Sequence, residues 1–477
     1  MNWVVFMPDE MRAESVSCYG HPLVQMPHYD RVAREGVRFD QCHVQHPVCS
    51  PARCSLFTGW YPHTAGHRTL WHLLQPHEPN LFRYLHQAGY EIAWFGKNDV
   101  LAPPCFAEID TYGSATGSND AGNPYDPADD AYYSFMYAPF QGDPHQTRDM
   151  QNVQRGIDFL RQRDSDRPFV LYLPLSLPHP PYGPPEPWAS MIDPDDLPPL
   201  RPADLPNKPD YMRLIRQYRR LDRLDEAFMR RVQATYLGMC AYVDWMLGHL
   251  LEALDETGHA DDTGLIVTAD HGDWAGDYGL VEKWPNALDD CITRVPLLVR
   301  LPGGAAGHVV REPVAWFDLM PTMLELSGTE AQHTHFAQSL LPQLHGAPGD
   351  PDRAVYCDGG YDTHEPHCFE GTSHLPYDIG HDPMAIYYPK GLQQQEHPES
   401  VCRATMIRTL THKLVRRPGG VSELYDLTAD PQELHNRYGD PAYAAHRVGL
   451  EARLLDWYIH TADVVPWQRD PRGLPQI

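Results

Sequence analysis

The segment HPVCSPARCSLFTGWYPHTAGHR, residues 46–68, holds a cysteine in an unusual place for a chain of this size. Cys49 stands at the predicted start of a helix that has Pro51 in its first turn and Gly59 at its end. Arg53 lies one turn later on the same helical face, and the helix N-terminal amides add positive potential beside Cys49. The segment predicts a corner that receives an anion. Taken alone, a small buried cysteine and a surface salt bridge of Arg53 explain the pattern better.

The overall charge restricts what such a chain binds. Its 477 residues, 42% of them hydrophobic, are enough for two or three soluble domains, and the net charge is −26. An acidic surface repels nucleic acid and anionic membranes, so neither is expected as a partner. An enzyme that handles anions would therefore need a metal ion or a basic cluster in its pocket.

The ends of the chain and its thiols suggest a cellular location. No segment is long and apolar enough to span a bilayer, and Met1–Met7 is interpreted as a first strand rather than a signal peptide. The ten cysteines include no CxxC pair, which fits isolated reduced thiols. We therefore expect a cytoplasmic protein.

Predicted strands alternate with predicted helices over most of the chain. Strands are predicted in NWVVFM, YEIAWFGK, PFVLYLPLSLPHPPY, TGLIVTADHGD and RVPLLVRLPG, and the longest helix is predicted at about residues 227–256. This alternation favours an α/β fold with a mostly parallel central sheet flanked by helices. We predict a catalytic domain at 1–345. A smaller α+β domain is predicted at 346–477, loop-like over residues 353–390, with short antiparallel strands in RATMIRT and HKLVRR and a closing helix at about 441–461.

Polar residues follow the predicted strands at their carboxyl ends: Asp9, Glu10, Lys97, His179, Asp270 and His271. In an open parallel sheet, functional sites are built at that edge. Three carboxylates and an imidazole placed together would repel each other unless a divalent cation binds them. Oxygen-rich ligands favour Ca²⁺, Mg²⁺ or Mn²⁺ over zinc. A helix cap for Asp9 and a loop acid for Asp270 are the alternative interpretation.

Several segments, in order, resemble the type I sulfatases, the formylglycine-dependent branch of the alkaline-phosphatase superfamily. CSPARCSLFTG resembles the family signature around its nucleophile, and VVFMPDEMRAESVSCYG resembles the first strand and metal loop. FGK, LPHPPY and TADHGDWAGDYGLVEK resemble three further active-site segments, and ELYDLTADPQELHN resembles a C-terminal marker. The resemblance covers nearly the whole chain and implies an alkaline-phosphatase-like fold.

The resemblance also implies roles for individual residues. A formylglycine-generating enzyme would read C-x-P-x-R and oxidise Cys49 to formylglycine, whose hydrate attacks sulfur and then releases sulfate by elimination. Asp9, Glu10, Asp270 and His271 would bind one divalent cation, Ca²⁺ first and Mn²⁺ or Mg²⁺ as alternatives. Arg53 would hold the hydrate, Lys97 and Lys283 would bind sulfate and the leaving oxygen, and His179 would protonate or hydrogen-bond the leaving group.

Three positions depart from the family pattern. Glu10 replaces the more frequent Asp, and Asp99 replaces a histidine two residues after the lysine. An acid at position 99 could act as a base, reshape the subsite or bind a cationic group of the substrate. His271 stands where some members have Asn, and members with His there include phosphonate monoester and phosphodiester hydrolases, which often use Mn²⁺.

The leading hypothesis is a sulfuric ester hydrolase acting on an alcohol, sugar or aryl sulfate. A phosphonate monoester or phosphodiester hydrolase on the same scaffold is the first alternative, and an inactive protein that binds sulfated glycans is the second. Whether the chain forms a homo-oligomer is left open.

A histidine-rich segment at residues 361–381 has no assigned role. A zinc site there would use His364, His367, Cys368, His374 and His381, but their spacings match no strong zinc motif. A substrate-facing loop is the preferred interpretation, with Tyr361, Phe369 and Tyr377 stacking on a sugar or aryl ring. A solvent-exposed loop without a binding role is an equally good alternative.

Overall fold

A large central sheet organises the first two thirds of the computed structural model, which describes residues 1–362 and 382–464. Within those residues this sheet has nine strands: β1 Asn2–Asp9, β2 Val37–His43, β3 Glu91–Phe95, β4 Thr111–Gly113, β5 Phe169–Pro178, β6 Thr263–Thr268, β7 Arg294–Val295, β8 Leu297–Arg300 and β9 His308–Ala315. Strands β1 and β5 are buried along nearly their whole length, as expected for strands covered on both faces.

The strand order is β4-β3-β5-β1-β6-β8-β2-β7, with β9 also paired to β2. Strands β4, β3, β5, β1 and β6 are mutually parallel. Strand β8 runs antiparallel to both β6 and β2, and β9 is parallel to β2. The sheet is therefore mostly parallel, with its parallel block centred on β1, and this confirms the predicted α/β class.

Helices cover the sheet in two packed groups. The helices are α1 Pro27–Glu35, α2 Cys49–Thr58, α3 Pro62–Ala65, α4 Leu81–Gln87, α5 Arg148–Gln162, α6 Asp210–Tyr218, α7 Glu226–Glu256, α8 Asp290–Thr293, α9 Leu319–Leu326, α10 Leu341–Leu344, α11 Tyr388–Glu396 and α12 Ala444–Thr461. Helix α7 packs against α1 and α5, whereas α2, α4 and α9 pack against one another. A single hydrophobic core joins both groups to the strands between them.

A second, smaller sheet follows in the chain. Its strands are β10 Val355–Gly359, β11 Ala404–Arg408, β12 His412–Arg416 and β13 Glu423–Asp426, all antiparallel in sequence order. Helix α12 contacts β11 and β12, and its Trp457 shares a buried cluster with Tyr61 and Phe317 of the preceding part of the chain. The predicted small sheet and closing helix are confirmed. The division into domains at residues 345 and 346 stays a prediction.

Parts of the fold differ from the expectation. Residues 355–359 lie in the segment expected to be loop-like, 353–390, but form β10, and α11 begins inside that segment at Tyr388. Strand β2 was not predicted, because Arg38, Asp40 and Gln41 interrupt its apolar pattern and are only partly buried. Yet β2 pairs with three strands and leads directly to Cys49.

The nine cysteines in the described residues are free thiols, as the sequence predicts. Among the helices of that same part of the chain, none combines the length and apolar character that crossing a bilayer demands.

Candidate active site

The site forms at the carboxyl ends of four adjacent strands, in the order β3, β5, β1 and β6. The chain leaves these strands at Lys97, at His179, at Asp9 with Glu10, and at Asp270 with His271, respectively. Gly96 allows the turn before Lys97: its φ is +134°, and a Cβ there would meet the Pro174 carbonyl oxygen at 2.2 Å. The six polar residues predicted to converge at this edge therefore do so.

Cys49 faces this cluster from the first turn of α2. Its Sγ lies 3.1 Å from His271 Nε2, 3.6 Å from Asp9 Oδ1 and 3.8 Å from Lys97 Nζ, and the residue is 2% exposed. Burial, with the negative charge of Asp9, raises the pKa of the Cys49 thiol far above its usual range. An unmodified thiol here stays protonated and is a poor nucleophile.

Arg53 lies beneath Cys49 and bridges two carboxylates. Its guanidinium is 3.0 Å from Asp9 Oδ2 and 2.8 Å from Asp270 Oδ2, and all three side chains are fully buried. Burial alone would raise the pKa of Asp9, but the positive charges of Lys97 and Arg53 outweigh it and lower that pKa well below its usual range. Asp9 is therefore an anion in this site. The alternative of a surface salt bridge for Arg53 is wrong.

Glu10 sits in a strained backbone conformation. Its φ is +68°, in the left-handed region, and its backbone is held by Tyr236 Oη donating to its carbonyl at 2.7 Å and by its own N–H donating to Asp270 Oδ1 at 3.1 Å. Lys283 Nζ donates to Glu10 Oε2 at 2.9 Å. Glu10 Oε1 is buried and has no hydrogen-bond partner among the described residues. Burial raises the pKa of Glu10 well above its usual range, although Lys283 opposes this.

His179 and Lys283 form a hydrogen-bonded pair beside Glu10, whose Oε2 lies 3.4 Å from His179 Nε2 and 2.9 Å from Lys283 Nζ. His179 Nδ1 lies 2.5 Å from the Pro180 carbonyl oxygen, so it carries the proton and donates there. Lys283 Nζ then donates to His179 Nε2, also at 2.5 Å. Burial and the charge of Lys283 lower the pKa of His179 well below its usual range. His179 is therefore neutral, and the ammonium of Lys283 is the proton-rich member of the pair.

The carboxylates and imidazole fit a hard divalent cation. Ligand atoms of Asp9, Cys49, Asp270 and His271 lie within 4.8 Å of one another, and a second group joins Asp9, Glu10 and His179 within the same distance. Oxygen ligands of Ca²⁺ bind at about 2.3–2.6 Å, so ligands on opposite sides of the ion are about 5 Å apart. The unpartnered Glu10 Oε1 is the kind of buried atom that such an ion satisfies.

Asp99 shares Lys97 with Asp9. Lys97 Nζ is 2.5 Å from Asp9 Oδ2 and 2.7 Å from Asp99 Oδ2, whereas the nearest Arg53 nitrogen is 4.0 Å from Asp99. Burial lowers the pKa of Lys97, but Asp9 and Asp99 more than compensate and hold it well above its usual value. Lys97 is therefore a fixed cation at the edge of the pocket.

A cavity of about 590 Å³ opens above Cys49. Leu70 and Trp71 line one part of it, and Ile386 and Tyr387 line another. Lys390 and Glu282 also line it and form a buried ion pair at 3.0 Å. Neither residue of this pair was assigned a role from the sequence. They are 108 positions apart and no local pattern connects them.

The histidine-rich segment is only partly described. The proposed zinc ligands His364, His367, Cys368, His374 and His381, together with Phe369 and Tyr377, lie outside the described residues. Tyr361 is described and is 4% exposed, in a buried cluster with Trp284 and Val401. The expectation that Tyr361 stacks on a substrate ring is therefore wrong.

The sheet, the strand-end cluster and the buried cysteine define a hydrolase of the alkaline-phosphatase superfamily. Residues 1–329 match the family model described as Sulfatase, and the chain belongs to the sulfatase family.

Similar proteins differ in the activities that their names give. The multifunctional alkaline phosphatase superfamily protein PehA of Trinickia caryophylli is 28% identical, over 98% of this chain and 96% of that protein. The N-acetylglucosamine-6-O-sulfatase of Bacteroides thetaiotaomicron is 26% identical, over 93% and 83%. The structure of the phosphonate monoester hydrolase of Agrobacterium radiobacter superposes with a TM-score of 0.79 at 24% identity, over 96% of both chains, which shows a shared fold.

Proposed function

We propose that the protein hydrolyses sulfuric esters through formylglycine at position 49 and one divalent cation. The observation that supports this most is the position of Cys49 Sγ, within 4 Å of Asp9, His271 and Lys97 at the floor of a cavity. A buried, protonated thiol has no evident use there. The oxidised and hydrated side chain would supply an oxygen nucleophile at the same point.

The cation would be held by Asp9, Glu10, Asp270 and His271. When bound, it would polarise the sulfate oxygens and lower the pKa of the attacking hydroxyl. Ca²⁺ is the first candidate because three of the four ligands are carboxylates, and Mn²⁺ or Mg²⁺ would suit the same oxygens.

The surrounding side chains would orient the ester and handle protons. Lys97, fixed between Asp9 and Asp99, would donate an N–H···O hydrogen bond to a sulfate oxygen. The Lys283–His179 pair contacts Glu10 and would bind and protonate the leaving oxygen. Arg53 would stay between Asp9 and Asp270 and hold the hydrate.

The substrate class is a sulfate ester of an alcohol, a sugar or an aryl group. A sugar is supported by the Bacteroides relative, whose name specifies a sulfated N-acetylglucosamine. A formylglycine-generating enzyme would be needed as a partner during maturation.

Mass spectrometry of the peptide that contains position 49 tests the modification in protein from its native host. We expect the aldehyde mass at Cys49 and an unmodified thiol at Cys54, one turn further on the same helix. The Cys49→Ala variant should lose turnover, whereas Cys54→Ala should retain it. An intact thiol at position 49 in active enzyme would refute the proposal.

Phosphonate monoester or phosphodiester hydrolysis is the second candidate. It is favoured by His271, because some such hydrolases have a histidine at this position. The Nε2 atom of His271 lies 3.1 Å from Cys49 Sγ. The multifunctional relative supports the same candidate by its name. Side-by-side kcat/KM for aryl sulfate and aryl phosphonate esters would separate the two activities. A higher value for the phosphonate would make the second candidate the main activity.

A further inference from the structure

One wall of the active-site cavity, formed by Leu70 and Trp71, belongs to no helix or strand. Residues 66–73 have no regular secondary structure, and Trp71 is 39% exposed. Leu70 and Trp71 are called the wall below. Apolar side chains of a cavity contribute most to binding when they are already in place, because ordering them on binding costs affinity. The wall therefore needs support from side-chain contacts.

His67 closes this segment into a small loop. Its Nδ1 lies 2.6 Å from the carbonyl oxygen of His72, so this hydrogen bond spans both residues of the wall. Its Nε2 lies 2.7 Å from Glu78 Oε1, and the second oxygen of Glu78 accepts the N–H of Gln75 at 2.8 Å. His67 is itself buried. One buried side chain thus joins the chain before the wall to two points after it.

His67 carries a positive charge in this position. A backbone carbonyl only accepts hydrogen bonds, so Nδ1 donates to His72, and the carboxylate of Glu78 likewise requires a proton on Nε2. Burial opposes the charge, but contacts with Cys54 and Glu78 raise the pKa of His67 to about 11. Burial would raise the pKa of Glu78, but the hydrogen bond from His67 lowers it below its usual value. Both bonds of His67 are therefore charge-assisted, which is the stronger kind of hydrogen bond.

The loop is also tied to the elements that form the reacting end of the site. Ser50, the residue after Cys49, donates through Oγ to the Leu70 carbonyl oxygen at 3.4 Å. Leu74, just beyond the loop, donates its N–H to the Val100 carbonyl oxygen at 2.8 Å, in the segment that follows β3. The position of the wall is thus defined relative to the start of α2 and to the end of β3.

We propose that the ion pair of His67 and Glu78 positions the wall against which the alcohol half of the ester binds. The inference rests on the proposed function only in taking the cavity above Cys49 as the place where the ester binds. Neither residue of the pair is among the described residues that line the cavity, so the pair acts through the wall. A leaving group with an apolar or aromatic face gains affinity from the wall, whereas a small alkyl group does not.

Binding of unreactive sulfonates tests the wall without turnover. Benzylsulfonate and ethanesulfonate carry a CH₂ group in place of the bridging oxygen of phenyl and methyl sulfate, so neither is hydrolysed as an ester. We expect calorimetric titration of the Cys49→Ala protein in buffer with Ca²⁺ to show tighter binding of benzylsulfonate. In the same background, Leu70→Ala/Trp71→Ala should weaken benzylsulfonate binding about tenfold and ethanesulfonate binding less than about twofold.

The ion pair is then tested through the wall. His67→Ala and Glu78→Ala should each weaken benzylsulfonate binding at least about threefold when the wall is present. In Leu70→Ala/Trp71→Ala the same changes should matter less than about twofold, because the pair acts through those two side chains. His77→Ala changes an exposed histidine beside Glu78 and should leave both affinities unchanged. Circular dichroism melting identifies folded variants, and Glu78→Gln, expected to act in the same direction, replaces an alanine variant that does not fold.

Three results would overturn the proposal. The first is a loss in His67→Ala that is as large for ethanesulfonate as for benzylsulfonate, and the second is a loss that persists in full without the wall. The third is equal affinity of the Cys49→Ala protein for the two sulfonates, since the wall would then not touch the ligand. A native enzyme that hydrolyses no sulfuric ester would refute the proposed function instead, and the sulfonate affinities would still decide the role of the ion pair.

Discussion

Lys97 is the residue whose environment departs most clearly from the family pattern. Its ammonium lies between Asp9 and Asp99, and Asp99 stands where many sulfatases have a histidine. The sequence left open a base, a reshaped subsite or a contact with a cationic substrate group for Asp99; the 2.7 Å contact adds a fourth role, that of positioning Lys97. The carboxylate also adds negative charge to a pocket that would receive an anion.

The Asp99→Asn variant separates these effects. We expect kcat to fall about tenfold, because Lys97 loses one of the two anions that fix it, and KM to fall as well, because the anionic ester is repelled less. Steady-state kinetics on an aryl sulfate measure both constants. An unchanged kcat with a raised KM would instead mean that Asp99 contacts a cationic group of the substrate.

The proposed cation site can be tested most directly at Glu10. The Glu10→Gln variant keeps the size of the side chain but removes its charge. We therefore expect its affinity for the divalent ion to fall at least tenfold. Elemental analysis and a calcium titration would measure this. Glu14→Gln, four positions on, changes a partly exposed carboxylate paired with Arg201 and should leave the affinity unaltered. Equal affinities in both variants would exclude Glu10 as a ligand.

Helix α2 ends at a glycine that the packing requires. Gly59 has a φ of +67°, and an added Cβ would meet Met320 Cε at 2.6 Å and His335 Cβ at 2.9 Å. Gly66 has a φ of +81°, with open space around it. Gly66→Ala should therefore cost about 1–2 kcal/mol of stability from backbone strain alone. Gly59→Ala should cost about 1–3 kcal/mol more, from overpacking. Thermal unfolding of the two variants measures the difference, and equal melting temperatures would contradict it.

Asp244 of α7 caps the start of α1. Its Oδ1 accepts the N–H groups of His28 and Tyr29 at 3.0 and 2.8 Å, and burial raises its pKa from 3.8 to about 7. The folded protein therefore holds the Asp244 proton more tightly than the unfolded chain does. Its contribution to stability is fully present below about pH 4 and is lost as the pH rises through 7.

The Asp244→Asn variant should remove this pH dependence. The amide oxygen can still accept both N–H groups, but it carries no charge to bury. We expect the wild type to lose up to about 4 kcal/mol relative to the variant between pH 4 and 8. Urea unfolding of both proteins across that range measures the difference. Parallel stability curves would show that Asp244 ionises normally in the folded state.

At the scale of the molecule, the sequence predicted the parallel block and the convergence of its strand ends. Asp9, Lys97, His179 and Asp270 each follow an apolar run long enough to identify as a strand. Strand β2 was missed because polar, partly buried residues interrupt its apolar pattern. The pairing of Glu282 with Lys390 was missed because the two residues are 108 positions apart and meet only in the folded chain, where α11 brings Lys390 to the pocket. Local patterns carry no information about such contacts.

The docking of the small sheet depends on a buried ion cluster. Lys413 of β12 is fully buried, 3.0 Å from Asp290 of α8 and 2.6 Å from Glu433, which follows β13. Arg408 also contacts Asp290, whereas Glu433 is paired with Lys413. Burial raises the pKa of Glu433 to about 7, against the opposing charge of Lys413. Lys413 thus joins the small sheet to helix α8, which follows Asp270 and His271 in the chain.

Replacing Lys413 by Met should destabilise the protein by about 3–5 kcal/mol, because the buried Glu433 loses its nearest cation and must either stay charged without compensation or take up a proton. The double variant Lys413→Met/Glu433→Gln should recover a large part of that loss, since it removes the uncompensated charge as well. Arg161→Met, which breaks an exposed ion pair with Glu256, should change stability by less than about 1 kcal/mol. Urea unfolding of the three variants measures these differences. If Lys413→Met behaved like Arg161→Met, or if the double variant were no more stable than Lys413→Met, the ion cluster would not be what holds the small sheet in place.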